Sequence, residues 1–119
     1  MTNRSYVGNL IPALAVLLLT TIPALANGSR RINVAYPASL NGTAIAAGEY
    51  KVSWEVQSSE ATVSFMQDGR VVATAKGKFM DRNVKYARNS VVFRTKADNS
   101  RTIAEIRFAG TKQALVFAD

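Results

Sequence analysis

The sequence predicts an all-β protein, an antiparallel sandwich or small barrel of about seven to eight strands preceded by an N-terminal signal helix. Short runs in which apolar and polar residues alternate fill the chain after residue 26, and this period of two is typical of strands. Turn residues separate the runs roughly every eight to twelve positions, and no helical period competes with them there. The 119 residues suffice for one such domain.

Residues 1–26 have the composition of a secretory signal peptide. Arg4 supplies a basic start, an uncharged apolar run follows, and residues 24–26 form a small-x-small triplet. This order predicts cleavage before Asn27. A single β domain of residues 27–119 then remains, and the loss of Arg4 reduces the net charge from +7 to +6. We therefore expect an exported protein, periplasmic or extracellular.

An uncleaved membrane anchor is the alternative interpretation of this segment. Residues 6–26 carry no charge and are just long enough to span a bilayer. However, Pro12 and Pro23 interrupt the stretch, and Arg30-Arg31 would place positive charge on the outer side of the membrane. The sequence favours cleavage, after which no transmembrane segment remains.

The first predicted strands are short. Residues 32–36 alternate as one strand, and Asn41-Gly42 predicts a small hairpin before Gly48. The pair Asn-Gly favours a type I′ turn because both central residues of that turn have positive φ.

The clearest strand covers residues 50–56, in which every second residue is apolar. Such alternation indicates one buried face and one solvent-exposed face, as in an antiparallel sheet. The predicted buried side chains are Tyr50, Val52, Trp54 and Val56. A tryptophan can also form a carbohydrate-stacking surface, but the phase that Trp54 shares with its apolar neighbours predicts a core position.

Residues 61–66 and 70–75 are predicted as two strands joined by Asp68-Gly69, a second type I′ signal. A two-residue loop predicts two inward-facing pairs across the hairpin: Phe65 with Val72, and Val63 with Thr74. Residues 76–87 are less regular. They predict a strand extension followed by a loop, with a short helix as the alternative.

Residues 90–95 and 102–108 form the next predicted hairpin, closed by a loop at residues 97–100. That loop predicts the inward-facing pairs Phe93 with Ala104 and Val91 with Ile106. The outer face then collects Arg94, Lys96 and Arg101. A turn at residues 110–112 leads to the last predicted strand, residues 113–117.

Residues 47–52, Ala-Gly-Glu-Tyr-Lys-Val, resemble an A-G-x-Y-x-V phrase of small exported bacterial β-domain proteins of unknown function. This chain has Ala46 where those proteins have proline. The resemblance spans most of residues 32–118 and implies a periplasmic or secreted β domain without a catalytic assignment. The phrase is also similar to strands of prealbumin-like accessory sandwiches. Both likenesses imply structural roles, in which Gly48 supplies a turn conformation and the Tyr50 hydroxyl reaches backbone at the corner.

The chain contains no histidine and no cysteine, which excludes Ser-His-Asp and Cys-His nucleophile pairs and zinc or copper sites built on imidazole or thiolate. Glycine-rich phosphate-binding loops and EF-hand loops are missing as well. The carboxylates are scattered: turns explain Asp68 and Asp98, and Glu55 and Glu105 are predicted on the outer, solvated face. The sequence therefore predicts no enzyme and no cofactor or metal.

A positive net charge attracts anions, here an acidic glycan or an anionic lipid surface, whereas export argues against nucleic acid. The candidate anion-binding face comprises Arg94, Lys96, Arg101 and Arg107. An ordinary cationic surface that discourages edge-to-edge pairing is the alternative.

Three functions remain open from the sequence. The first is a non-catalytic binding or accessory module with a basic face. The second is a structural subunit that self-associates through strand edges such as residues 32–36. The third, ranked last, is an enzyme that uses carboxylates alone. A barrel that encloses a cavity would instead favour a carrier of a small ligand.

Overall fold

The computed structural model describes residues 27–118, which form nine β-strands and no helix. The all-β prediction is confirmed, and the strand number exceeds the expected one. The predicted signal peptide, residues 1–26, lies outside the described residues. The strands are β1 (Gly28–Val34), β2 (Ala38–Leu40), β3 (Thr43–Ile45), β4 (Gly48–Gln57), β5 (Glu60–Gln67), β6 (Arg70–Asp81), β7 (Ser90–Thr95), β8 (Arg101–Arg107) and β9 (Gln113–Phe117).

The strands form one sheet in the order β1-β4-β5-β6-β9-β8-β2-β3, and β7 also pairs with β8. β7 runs antiparallel along the full length of β8. On the other edge of β8, β9 pairs only with residues 105–107, and β2 meets β8 in parallel at the pair Ser39 and Thr102. β9 and β2 therefore share one edge of β8, with a break between them.

The sheet curls so that β1, at one end of the strand path, comes into contact with β7, which pairs with β8. Side chains bridge this seam: Arg30 Nη1 donates hydrogen bonds to Asn89 Oδ1 at 3.2 Å and to the Ala109 carbonyl at 3.0 Å. The same guanidinium lies 5.5 Å from the ring centroid of Phe108, within cation–π range. Arg30 thus covers the core where the curled sheet is open.

Apolar side chains fill the inside of the curled sheet. Trp54 is only 5% exposed, and its ring centroid lies 4.9 Å from that of Phe108 and 6.0 Å from that of Phe79. Tyr50 is buried on the same face of β4. The predicted buried face of this strand is confirmed, and the burial of the indole leaves no ring surface for a sugar to stack on.

Both predicted type I′ turns are present. Asn41 and Gly42 have φ values of 52° and 80°, and Asp68 and Gly69 have φ values of 53° and 78°. Asparagine, aspartate and glycine tolerate this left-handed conformation better than other residues. The turn chemistry therefore places the hairpin corners as predicted.

The predicted pairing beyond the Asp68-Gly69 turn is wrong by one residue. Next to the turn Met66 faces Val71, but a bulge then shifts the register, so that Phe65 faces Ala73. Val72 is the extra residue of the bulge and is exposed. Because a one-residue shift moves side chains to the other face, the next inward-facing pair is Val63 with Ala75, and Thr74 lies outside.

The second hairpin also contains a bulge. Val91 faces Ile106 as predicted, whereas Phe93 faces Ile103 in place of Ala104. Ala104 is the extra residue on β8 at this point, between the pairs that precede and follow it. Every side chain of β8 before Ala104 therefore points to the face opposite to the predicted one.

The strand extension and loop predicted for residues 76–87 are confirmed, and the helical alternative is wrong. β6 runs to Asp81, and the following loop lies on the β8–β9 turn. Backbone hydrogen bonds of 2.9 Å join Arg82 N to the Lys112 carbonyl and Tyr86 N to the Thr111 carbonyl. This loop therefore brings Arg82 to the outer side of β8 and β9.

The corner before β4 has the structure that its Gly-x-Tyr spacing implied. Gly48 has a φ of 151°, a conformation that side chains with a Cβ rarely adopt. The Tyr50 hydroxyl donates a hydrogen bond of 2.6 Å to the Ala46 carbonyl. The tyrosine thereby ties the start of β4 to the residues that precede it.

Replacing Tyr50 with phenylalanine is expected to lower the free energy of unfolding by about 1–2 kcal/mol, because the Ala46 carbonyl loses its partner while the ring remains packed. Urea denaturation followed by circular dichroism measures the change. Tyr36→Phe is the control, since this ring is half-exposed, and its expected change is below about 0.5 kcal/mol. Equal changes in the two variants would contradict the role given to the Tyr50 hydroxyl.

Candidate functional site

The structure does not bring the four predicted anion-binding residues to one face. Arg94 pairs with Thr102 on the outer side of the β7–β8 hairpin. Arg101, the neighbour of Thr102, points to the opposite side, where its guanidinium lies 4.4 Å from the ring centroid of Tyr36. Tyr36 in turn contacts the inward-facing Phe93. The prediction that Arg101 joins Arg94 on the outer face is wrong, because the bulge at Ala104 reverses the phase of the residues before it.

Lys96 lies in the turn after β7. Its backbone N donates to the Ser100 carbonyl at 2.8 Å, and Asn99 N donates to the Lys96 carbonyl at 2.9 Å. Asp98 Oδ1 accepts hydrogen bonds from Ser100 Oγ at 2.6 Å and from Ser100 N at 3.0 Å, and these bonds lower the pKa of the Asp98 carboxyl. The prediction that Asp98 is a turn residue is confirmed.

Arg107 shares a carboxylate with a second arginine. Its Nε donates to Glu105 Oε2 at 2.8 Å, and Arg82 Nη2 donates to Glu105 Oε1 at 2.8 Å. The hydrogen bond to Glu105 raises the pKa of Arg107, whose guanidinium also lies 5.3 Å from the Tyr86 ring centroid. Both oxygens of the carboxylate are therefore engaged, one by each arginine.

The prediction that Glu105 is a solvated carboxylate is wrong. Its side chain lies on the outer face of β8 as predicted, but the residue is only 8% exposed. A buried carboxylate needs partners that satisfy both of its oxygens, and Arg82 and Arg107 supply them. Arg82 was not among the predicted site residues, since only the path of the loop after β6 brings it near Glu105.

Two rows of outward-facing residues cross the strands β6, β9, β8 and β7. The cross-strand pairs place Lys78, Val116, Glu105 and Val92 in the first row and Met80, Ala114, Arg107 and Ser90 in the second. Lys76 lies two residues before Lys78 on β6, and Arg94 lies two residues after Val92 on β7. Side chains two residues apart on a strand share a face.

We call this surface the outer basic face and define it by five cations, Lys76, Lys78, Arg82, Arg94 and Arg107, together with the carboxylate of Glu105. Glu60 lies beside the two lysines in a shallow groove, but within the described chain it forms no ion pair with them. Half-buried valines lie between the cations. The outer basic face thus carries an excess of positive charge, and its one buried carboxylate is already paired.

No protein-family model matches the chain, and neither the curated proteins nor the solved structures compared with it provide a match. Over residues 27–118, no helix is long and apolar enough to cross a membrane. In the same part of the chain, no three acidic side chains gather as metal ligands would. The chemistry of the surface is therefore the basis for a functional proposal.

Proposed function

We propose that this protein is a non-catalytic, exported binding module whose outer basic face engages an acidic polysaccharide. The observation that carries the proposal is the charge of that face: it holds five cations against two carboxylates, the buried one of Glu105, which pairs with Arg82 and Arg107, and the exposed one of Glu60. A face of this kind attracts polyanions. The face extends across four adjacent strands, which suits an extended chain better than a compact ligand.

Single contacts on such a surface are weak. An exposed ion pair contributes about 0–1 kcal/mol, so useful affinity requires several cations that act on one polymer. Salt screens exposed charges over roughly 8–10 Å at physiological ionic strength. We therefore expect binding that weakens strongly as salt concentration rises, without a requirement for one essential residue.

An acidic glycan fits this face better than an anionic membrane does. Among the apolar residues of the two rows, Ala114 is buried, Val92 and Val116 are half-buried, and only Met80 is exposed. A protein that inserts into the headgroup region usually presents protruding apolar side chains beside its cations. Vesicles are nevertheless part of the test, because phosphate headgroups also carry negative charge.

Two of the other candidate functions have less support. The β1 edge that was considered for self-association lies against β7, and Ile32 and Val34 of that strand are buried. Side chains such as Phe65 and Leu115 fill the space inside the curled sheet. Self-association through the β1 edge, and the carriage of a ligand inside the sheet, would each require a rearrangement of these parts.

The test measures binding of residues 27–119, which contain all nine strands, to polygalacturonate by titration calorimetry at low salt. The variant Lys78→Ala with Arg94→Ala is expected to bind at least about tenfold more weakly, which corresponds to about 1.4 kcal/mol. The control Lys51→Ala with Arg70→Ala removes the same charge from exposed positions outside this face, and its expected loss is below about threefold.

Equal weakening of the two variants would show that net charge alone drives binding, and would contradict the proposal. Vesicles that contain phosphatidylglycerol serve as a second partner. Tighter binding to those vesicles than to the polymer, with the same dependence on Lys78 and Arg94, would show that the partner of this face is a lipid surface and not a glycan.

A further inference from the structure

A notch opens at the break between β9 and β2. β9 pairs with β6 as far as Phe117, which faces Gly77, and leaves β8 before Thr102, where β2 takes its place. Asn41 Nδ2 donates to the Thr74 carbonyl at 3.4 Å, so the β2–β3 hairpin is tied to β6 on the far side of the break. The recess between these strands has a volume of ≈ 290 Å³, at the lower end of the range for small-molecule sites.

The walls of the notch combine apolar and cationic groups. Leu40, Ile103 and Phe117 contribute apolar surface, and Lys76 and Lys96 contribute the charges. The two lysines come from distant parts of the chain, Lys76 from β6 and Lys96 from the turn after β7. Their convergence on one recess that also has an apolar wall was not visible in the sequence.

One wall residue has an unsatisfied polar group. The hydroxyl oxygen of Thr102 is buried and has no hydrogen-bond partner within the described residues, and Thr102 lines the notch. Buried hydroxyls in folded proteins nearly always have a partner. A bound molecule with an acceptor at this wall would supply one.

We propose that the notch binds a small organic anion with one apolar side, such as a short-chain monocarboxylate. The ammonium groups of Lys76 and Lys96 hold the carboxylate, the Thr102 hydroxyl donates a hydrogen bond to it, and the apolar wall covers the hydrocarbon part. The notch shares Lys76 with the outer basic face, but Lys78 and Arg94, the two residues changed in the glycan test, do not line it. The two proposals can therefore fail independently.

The test uses hexanoate as the probe and follows backbone amide signals of residues 27–119 by NMR. We expect saturable shifts at Ala75, Ile103 and Ala118, with a dissociation constant on the order of 1 mM, as suits a ligand of few atoms. Hexan-1-ol lacks the charge and inorganic phosphate lacks the apolar part. Both are expected to bind at least about fivefold more weakly.

Two variants test the individual contacts. Lys96→Met and Thr102→Val keep the size of the side chain, and each is expected to weaken hexanoate binding about three- to fivefold. Lys112→Met removes an equal charge in the β8–β9 turn, outside the notch, and is expected to leave binding unchanged. Amide signals of all three variants report directly whether each remains folded.

The proposal is overturned if hexanoate gives no saturable shifts, if hexan-1-ol binds as tightly as hexanoate, or if Lys112→Met weakens binding as much as Lys96→Met does. The variant Lys78→Ala with Arg94→Ala should retain hexanoate binding. If that variant loses hexanoate binding, hexanoate binds to the outer basic face and not to the notch, and the proposal is contradicted.

Discussion

Replacing Trp54 with alanine is expected to lower the free energy of unfolding by about 3–5 kcal/mol. The indole is buried in the centre of an aromatic group, with the rings of Phe108 and Phe79 at centroid distances of 4.9 Å and 6.0 Å. Its removal leaves a cavity that the neighbouring side chains cannot fill without moving. Small domains are stable by only about 5–15 kcal/mol, so this loss is a large part of the total.

The measurement is urea denaturation followed by circular dichroism, because Trp54 is the chain's one tryptophan and its fluorescence disappears with it. Trp54→Phe is expected to show a smaller loss, since a phenylalanine ring keeps part of the packing. Tyr36→Ala removes a half-exposed aromatic ring and is expected to cost below about 1 kcal/mol. If Trp54→Ala loses no more stability than Tyr36→Ala, the indole lies outside the core, and the sugar-stacking interpretation is restored.

Replacing Glu105 with glutamine is expected to lower the free energy of unfolding by about 1.5–3 kcal/mol. The amide has the same shape as the carboxylate, but its NH₂ group faces a guanidinium, and Arg82 and Arg107 lose their shared negative charge. The two arginine side chains are 39% and 41% exposed, so solvent screens part of the repulsion between them. For this reason we expect less than the full cost of an unpaired buried charge.

Glu49→Gln is the matched control for this substitution. Glu49 also pairs with an arginine, Arg31, but at 3.4 Å and with side chains that are 58% and 78% exposed. Exposed ion pairs of this kind contribute little, and the expected change is below about 0.5 kcal/mol. If the two glutamine variants lose the same stability, burial is not what gives the Glu105 pairings their strength.

Local chemistry explains which parts of the fold were predictable. The alternation of residues 50–56 depends on the fixed geometry of one strand, whose successive side chains point to opposite faces. The turns at Asn41-Gly42 and Asp68-Gly69 depend on the conformational freedom of their own residues. Neither feature needs knowledge of a distant part of the chain, and both agree with the structure.

The bulges in the two hairpins mark the limit of that reasoning. Each inserts a single residue, Val72 in one hairpin and Ala104 in the other, and neither residue type signals a bulge. Their effect on the surface is large, because a one-residue shift exchanges the two faces of a strand. As a result Arg101 stacks on Tyr36 instead of joining Arg94 on the outer face.

The residues alone determine that this protein is all-β, that Trp54 and Tyr50 face the core, and that its chemistry lacks imidazole and thiol groups. Only the tertiary structure decided which charges meet. Glu105 is buried because the loop after β6 packs on the β8–β9 turn and brings Arg82, 23 positions away in the chain, to its side. The two lysines line one notch because β9 leaves β8 before the position where β2 meets it. A period of two specifies the side of a strand on which a residue lies, whereas contacts between distant residues depend on how the whole sheet curls and how its connections pack.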